Sequence, residues 1–162
     1  MSGSYLSQGL VLALALGLLY ACWTDLRRRE IDNWLNAGIA LGAPLFWYAA
    51  GFGWVDIVFQ IGIAVVVFMV LVGLFVTGSM GGGDVKLLTA LALWVQPIQF
   101  VQLLVIMSIV GGLLTLVFWV IHKRRRQQGP VAVPYGVAIS IAGLWALATI
   151  SIPGAETASI LG

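Results

Sequence analysis

The chain holds only six acidic residues among 162, and two of them stand where an apolar run meets a polar loop. Asp25 closes the first apolar run, and Asp84 opens another after the glycine segment Gly78 to Gly83. Two carboxylates that share a site hold one proton between them. Such a dyad can activate water and protonate the leaving amine of a peptide bond. The stretch Gly81-Gly82-Gly83-Asp84-Val85-Lys86 adds a backbone that a substrate or another helix can approach closely. Lys86 is placed to tune Asp84 or to anchor a helix end. A plain structural account fits the same positions equally well: Asp25 pairs with Arg27, Arg28 and Arg29, and Asp84 caps a helix.

Which account holds depends on the elements that carry the two acids. The chain is 61% hydrophobic and 9% charged, with a mean hydropathy of +1.06. A soluble domain has about 25% charged and 45–50% apolar residues, so this sequence cannot cover a water-facing surface. It reads as an all-α integral membrane protein in one domain over 1–162, because uncharged runs of about 20 residues recur and alternating strand patterns do not. The runs predict six transmembrane helices, at about 5–24, 34–50, 54–77, 84–95, 98–121 and 133–151. As one helix, the stretch from Asp84 to Ile121 would be about 57 Å long, roughly twice the hydrocarbon thickness. Gln96-Pro97 breaks it. No positive charge precedes the first run, which is longer than a signal-peptide core, so it is expected to be a retained helix.

Charge parity tests the count. The cluster Arg27 to Arg29 lies four crossings before the cluster Lys123, Arg124, Arg125 and Arg126, and positive loops stay in the cytoplasm. Six helices therefore place all eight basic residues inside and both termini outside. The same topology brings Asp25 and Asp84 to one depth at the cytoplasmic edge, where ionisable groups are functional candidates. An aromatic belt is expected, with Trp23, Trp34 and Trp119 at the inner interface and Trp47, Trp54 and Trp94 at the outer one. Gly38 and Gly42 permit close helix packing. The charge of +2 thus reads as topology, and no nucleic acid partner is expected. The single Cys22 excludes an internal disulfide and a multi-cysteine zinc site. Helix dipoles assign Asp84, at a helix start near Lys86, a lowered pKa and the role of base, and Asp25, at a helix end, the role of acid.

The pattern Gly-x-Gly-Asp-x-Lys, after a hydrophobic helix and before a short Leu/Ala-rich one, resembles the aspartic prepilin peptidases of type IV pilus systems. In that family a second aspartate ends an earlier helix and is followed by basic residues and an Ile-Pro-Asn-like element. Here Asp25 precedes Arg27 to Arg29 and then Ile31-Asp32-Asn33, with Asp32 in the proline's place. Val133-Pro134-Tyr135-Gly136 is similar to the proline-aromatic-glycine element before the family's last helix. The resemblance spans about residues 10–150 and is nearest the compact branch that serves Flp-type (tight adherence) pili, without a zinc or N-methyltransferase domain.

The resemblance implies an endopeptidase of the bacterial cytoplasmic membrane that removes the short basic leader of a prepilin or pseudopilin. Asp25 and Asp84 would be catalytic, supported by Gly81, Gly83, Lys86, Asn33, Pro134, Tyr135 and Gly136, with no metal or cofactor. Its partners would be the prepilin, membrane lipid and pilus assembly or secretion machinery. Glu30 and Asp32 could attract a basic leader, although Arg27 to Arg29 oppose it. Two other classes use the same features. A small proton- or cation-coupled transporter would employ the carboxylates as a relay, yet transport sites usually lie near the bilayer midplane. A non-enzymatic assembly scaffold gives no reason for two acids at matched depth.

Overall fold

The computed structural model describes residues 2–124 and 133–149. Among them are six helices: α1 (Ser2–Arg28), α2 (Asn33–Ala50), α3 (Trp54–Val76), α4 (Gly82–Ala92), α5 (Pro97–Arg124) and α6 (Tyr135–Thr149). Each lies close to its expected run, and the differences fall at the ends. The first helix runs past Asp25 because its last turn carries Arg27 and Arg28, cations that suit a helix C-terminus. It stops at Arg29, which takes the left-handed conformation with φ 55°. Asp25 to Arg28 are therefore helical and not part of a loop.

The fourth helix starts two residues earlier than expected and ends at Ala92, where Leu93, Trp94 and Val95 close a tight turn onto the carbonyls of Ala90 and Leu91. Pro97 then opens α5, as its missing N–H allows at a first helical position. That helix continues to Arg124. Arg125, Arg126 and the rest of the basic loop lie outside the described residues, as do the chain beyond Thr149 and any placement of the termini.

Tyr5–Arg28, Trp54–Val76 and Pro97–Arg124 are long and apolar enough to cross a bilayer. Their outward faces carry large apolar side chains such as Leu16, Phe59, Val66, Met69 and Ile109, a surface that lipid covers and water does not. The protein is accordingly a membrane protein. The other three helices are shorter, at 18, 11 and 15 residues. The shortest is the centre of the molecule: α4 packs against α2, α3 and α6, and Leu87, Leu88 and Leu91 are fully enclosed. Beyond its first turn this eleven-residue helix is mostly Leu and Ala, and its buried residues Val85, Leu87, Leu88, Ala90 and Leu91 turn it into the core. The first helix lies against α2 and α6, and α5 lies against α6.

Because α4 ends inside the bundle, its last carbonyls need donors that water cannot supply. Gln60 of α3, 5% exposed, donates from Nε2 to the carbonyls of Ala92 at 2.6 Å and Val95 at 2.7 Å. Trp47 donates from Nε1 to the Leu93 carbonyl at 2.9 Å, and Trp94 donates from Nε1 to the Ile39 carbonyl at 2.8 Å. Both indoles are buried, which corrects their assignment to an outer aromatic belt. Trp47 serves the end of the short helix, and Trp94 ties the turn after it to α2. Trp94 also explains half of the glycine pair on α2, since a Cβ on Gly42 would lie 2.8 Å from its ring, whereas nothing approaches Gly38 within 4 Å. Replacing Gln60 by Leu keeps the volume but orphans two carbonyls. A loss of about 2–3 kcal/mol is expected in unfolding measured in mixed micelles, and an unmoved midpoint would refute this capping role.

Candidate active site

Asp25 lies one turn from the end of α1 and is 5% exposed. Its Oδ2 accepts the Val137 N–H at 3.2 Å, and the Gly136 N–H also donates to the carboxylate. Both donors belong to the first turn of α6, so the carboxylate sits on the positive end of that helix. This contact corrects the expectation that the C-terminus of its own helix alone sets the character of Asp25. Gly136 is required for it. A Cβ there would stand 2.8 Å from both Cγ and Oδ2 of Asp25 and 2.9 Å from Cδ1 of Ile31.

Asp84 occupies the first turn of α4, outside the three long apolar helices. Its carboxylate folds back to accept the Gly81 N–H, which leaves Oδ2 3.0 Å from where a Cβ of residue 81 would be. Gly81 has an ordinary φ of −73°, so close approach and not backbone freedom is what favours glycine here. Both carboxylates line one cavity of about 590 Å³, together with Arg29, Glu30, the glycine loop and Tyr135. Burial, and then the Asp25 charge, push the Asp84 carboxyl up to about 6, against the Gly81 hydrogen bond that lowers it. The lowered value expected from the helix start and Lys86 is thus reversed.

The sign of that coupling is testable. In an Asp25→Asn variant the infrared carboxyl band of Asp84 should titrate at a lower pH than in the unaltered protein, yet still above the ordinary carboxylate range, because burial is the larger cause and persists. A midpoint that stays put would mean the two groups do not sense each other.

The remaining residues divide. Asn33 lines the cavity, and its Oδ1 accepts from Lys86 Nζ at 2.8 Å. Lys86 therefore ties α4 to the start of α2, the anchoring role of the two that the sequence suggests. Tyr135 lines the cavity, with its hydroxyl 3.4 Å from Thr115 Oγ1, and Pro134 is buried beside it. Gly83 packs on the loop, where a Cβ would be 3.4 Å from Cβ of Ile31. Asp32 takes φ −62°, the angle a proline ring would impose. Its carboxylate accepts from Arg28 at 2.9 Å and from the Tyr20 hydroxyl at 3.3 Å, so of the two local acids Glu30 is the one on the cavity wall.

Sequence reasoning missed two parts of this arrangement. The backbone N–H pair under Asp25 carries no side-chain signature, although Pro134 and Gly136 bracket it. Ile31 is part of the Ile31-Asp32-Asn33 motif, yet it also lies between Gly83 and Gly136 and holds the starts of α4 and α6 together. A lone aliphatic residue inside a run of charges was the available signal.

The geometry is that of two coupled carboxylates facing one polar cavity, each oriented by backbone N–H groups. No curated protein and no solved structure matches the chain. The profile of the type IV leader peptidase family matches residues 12–119, two thirds of the sequence and a stretch that includes both Asp25 and Asp84. By that match the protein is a peptidase whose family acts on prepilins, and the transporter reading is left without support: the chain belongs to the type IV leader peptidase family.

Proposed function

We propose that the protein is an aspartic endopeptidase of the bacterial cytoplasmic membrane that cuts the short basic leader from Flp-type prepilins, with Asp25 and Asp84 as its catalytic pair. The observation that carries this reading is the shared cavity lined by both carboxylates. In this reading the chain crosses the bilayer six times, and the cavity opens to the cytoplasm beside the basic ends of α1 and α5. The leader stays in water while the apolar helix of the pilin remains among lipids, which brings the scissile bond to the edge of the bundle.

The two acids divide the work by their surroundings. Asp25, held by two N–H donors, is the ionised member, and Asp84 keeps the shared proton. Asp25 takes a proton from water as the water oxygen attacks the scissile carbonyl carbon, and Asp84 gives its proton to the carbonyl oxygen. Collapse of the tetrahedral gem-diol breaks the C–N bond as Asp25 passes the proton it took from water to the leaving nitrogen and one diol hydroxyl returns a proton to Asp84, which restores both groups. This division reverses the one derived from helix dipoles alone. Because the pair titrates as a unit, the order of protonation tests it: Asp84 should take up the first proton as pH falls.

The reaction itself is tested by reconstituting the protein in liposomes with a purified prepilin and weighing the products. A leader ending in glycine and a mature chain starting one residue later are expected. Intact prepilin after incubation with folded protein would overturn the reading.

A further inference from the structure

A second hollow lies beside the first. It has a volume of about 380 Å³ and runs along α2 and α4, from Asn33 and Lys86 at its rim to Ala40 and Leu93 at its deep end, with Phe68 of α3 on one wall. The second and third helices both pack on α4 but make no extensive contact with each other. They leave a slot whose floor is α4, lined by the small residues Ala37, Thr89 and Ala90. Asn33 borders both this slot and the cavity of the two aspartates, so the two spaces are neighbours, with the Lys86–Asn33 hydrogen bond at their junction.

One side chain in the slot has no structural explanation. Asn36 is 5% exposed, lines the slot, and has neither its Nδ2 nor its Oδ1 hydrogen-bonded among the described residues. A buried amide with both groups unpaired costs stability, so a partner that supplies an acceptor and a donor together is called for. Lipid ester carbonyls only accept. A residue in extended backbone conformation offers one N–H and one C=O, which an asparagine amide can pair at once.

A peptide about to be cut provides such a residue. The helix of the substrate must be unwound around the scissile bond, and at membrane depth each freed backbone group needs a partner. On the reading that this site cuts prepilins, we infer that the slot between α2, α3 and α4 receives the mature side of the substrate, with Asn36 pairing the backbone of its extended residues just beyond the scissile bond and the pilin helix beginning deeper in the slot. Asn36 lies one helical turn below Asn33, which places it next in line from the cavity. It is a positioning residue and does not touch the reacting atoms.

Asn36→Leu separates this role from a structural one. The variant should lose kcat/KM for prepilin on the order of tenfold, while its unfolding midpoint stays level or rises because an orphaned amide has gone. A fall in stability with unaltered kcat/KM overturns the inference. The second arm traps substrate on an Asp84→Asn variant, using prepilins that carry a benzophenone photocrosslinker at successive positions after the scissile glycine. Cross-links to Ala37 and then to Ala40, in that order along the substrate, are expected; cross-links to the outer face of α5 would overturn it. Phospholipid retained by the unaltered protein and lost from Asn36→Leu in native mass spectrometry, with prepilin cross-linked elsewhere, would assign the slot to lipid and sink the inference. Uncut prepilin with unaltered protein removes the peptidase reading and this inference together, whereas normal cutting that Asn36→Leu leaves unchanged removes the inference alone.

Discussion

Leader removal should fall at least about a thousandfold when either Asp25 or Asp84 is replaced by Asn, and the double variant should be no slower than the slower single one. The non-additivity follows from the mechanism: one group without the other cannot both take a proton from water and give one to the substrate. Asparagine keeps the shape and still offers an oxygen to the Val137 N–H at position 25 and to the Gly81 N–H at position 84. Folding should therefore survive, and helicity and micellar unfolding would confirm that lost cutting is lost chemistry. Rates for the three variants come from the mass shift of a purified prepilin. Cutting that persists in both single variants would end the assignment of the pair.

Gly136→Ala should be nearly as damaging without touching either carboxylate. The new Cβ would meet Asp25 at 2.8 Å and Cδ1 of Ile31 at 2.9 Å, so the N-terminus of α6 or the end of α1 has to move. Overpacking of this kind costs about 1–3 kcal/mol, and a misplacement near 1 Å at a reacting group costs about a hundredfold in rate. Both losses are expected together, one in unfolding midpoint and the other in kcat. Adding Ile31→Val removes Cδ1 and should return part of the stability but little of the activity, because the clash with Asp25 remains. Gly112→Ala on α5, where nothing lies within 4 Å, is the control and should be neutral in both measurements. Unimpaired cutting by Gly136→Ala would mean that Asp25 does not need its place on α6.

Membrane character, the helical runs and the break at Pro97 were legible in the sequence because each depends on local composition or on one residue's covalent structure. Asp25 and Asp84 were also legible, as rare acids at the ends of apolar runs. The indole pair was misassigned for a reason of the same kind read in reverse. Trp47 and Trp94 fall near the ends of their runs, and periodicity has no term for a short helix whose C-terminus is buried and needs donors. Lys86 reads from the sequence as tuning Asp84 or anchoring a helix end; the partner it anchors to is Asn33, a residue 53 positions away that no local pattern connects to it.

Hydropathy and charge, which sum along a chain, were thus enough to determine that the protein is a helical membrane protein with two candidate acids. The tertiary structure alone decided how those acids are held. It set Asp25 on the N–H groups of α6, raised Asp84 through burial and the charge of Asp25, and left Asn36 unpaired in a slot beside the cavity. Desolvation and hydrogen-bond direction depend on which distant segments meet, and a carboxylate acquires its character from those neighbours and not from its place in the chain.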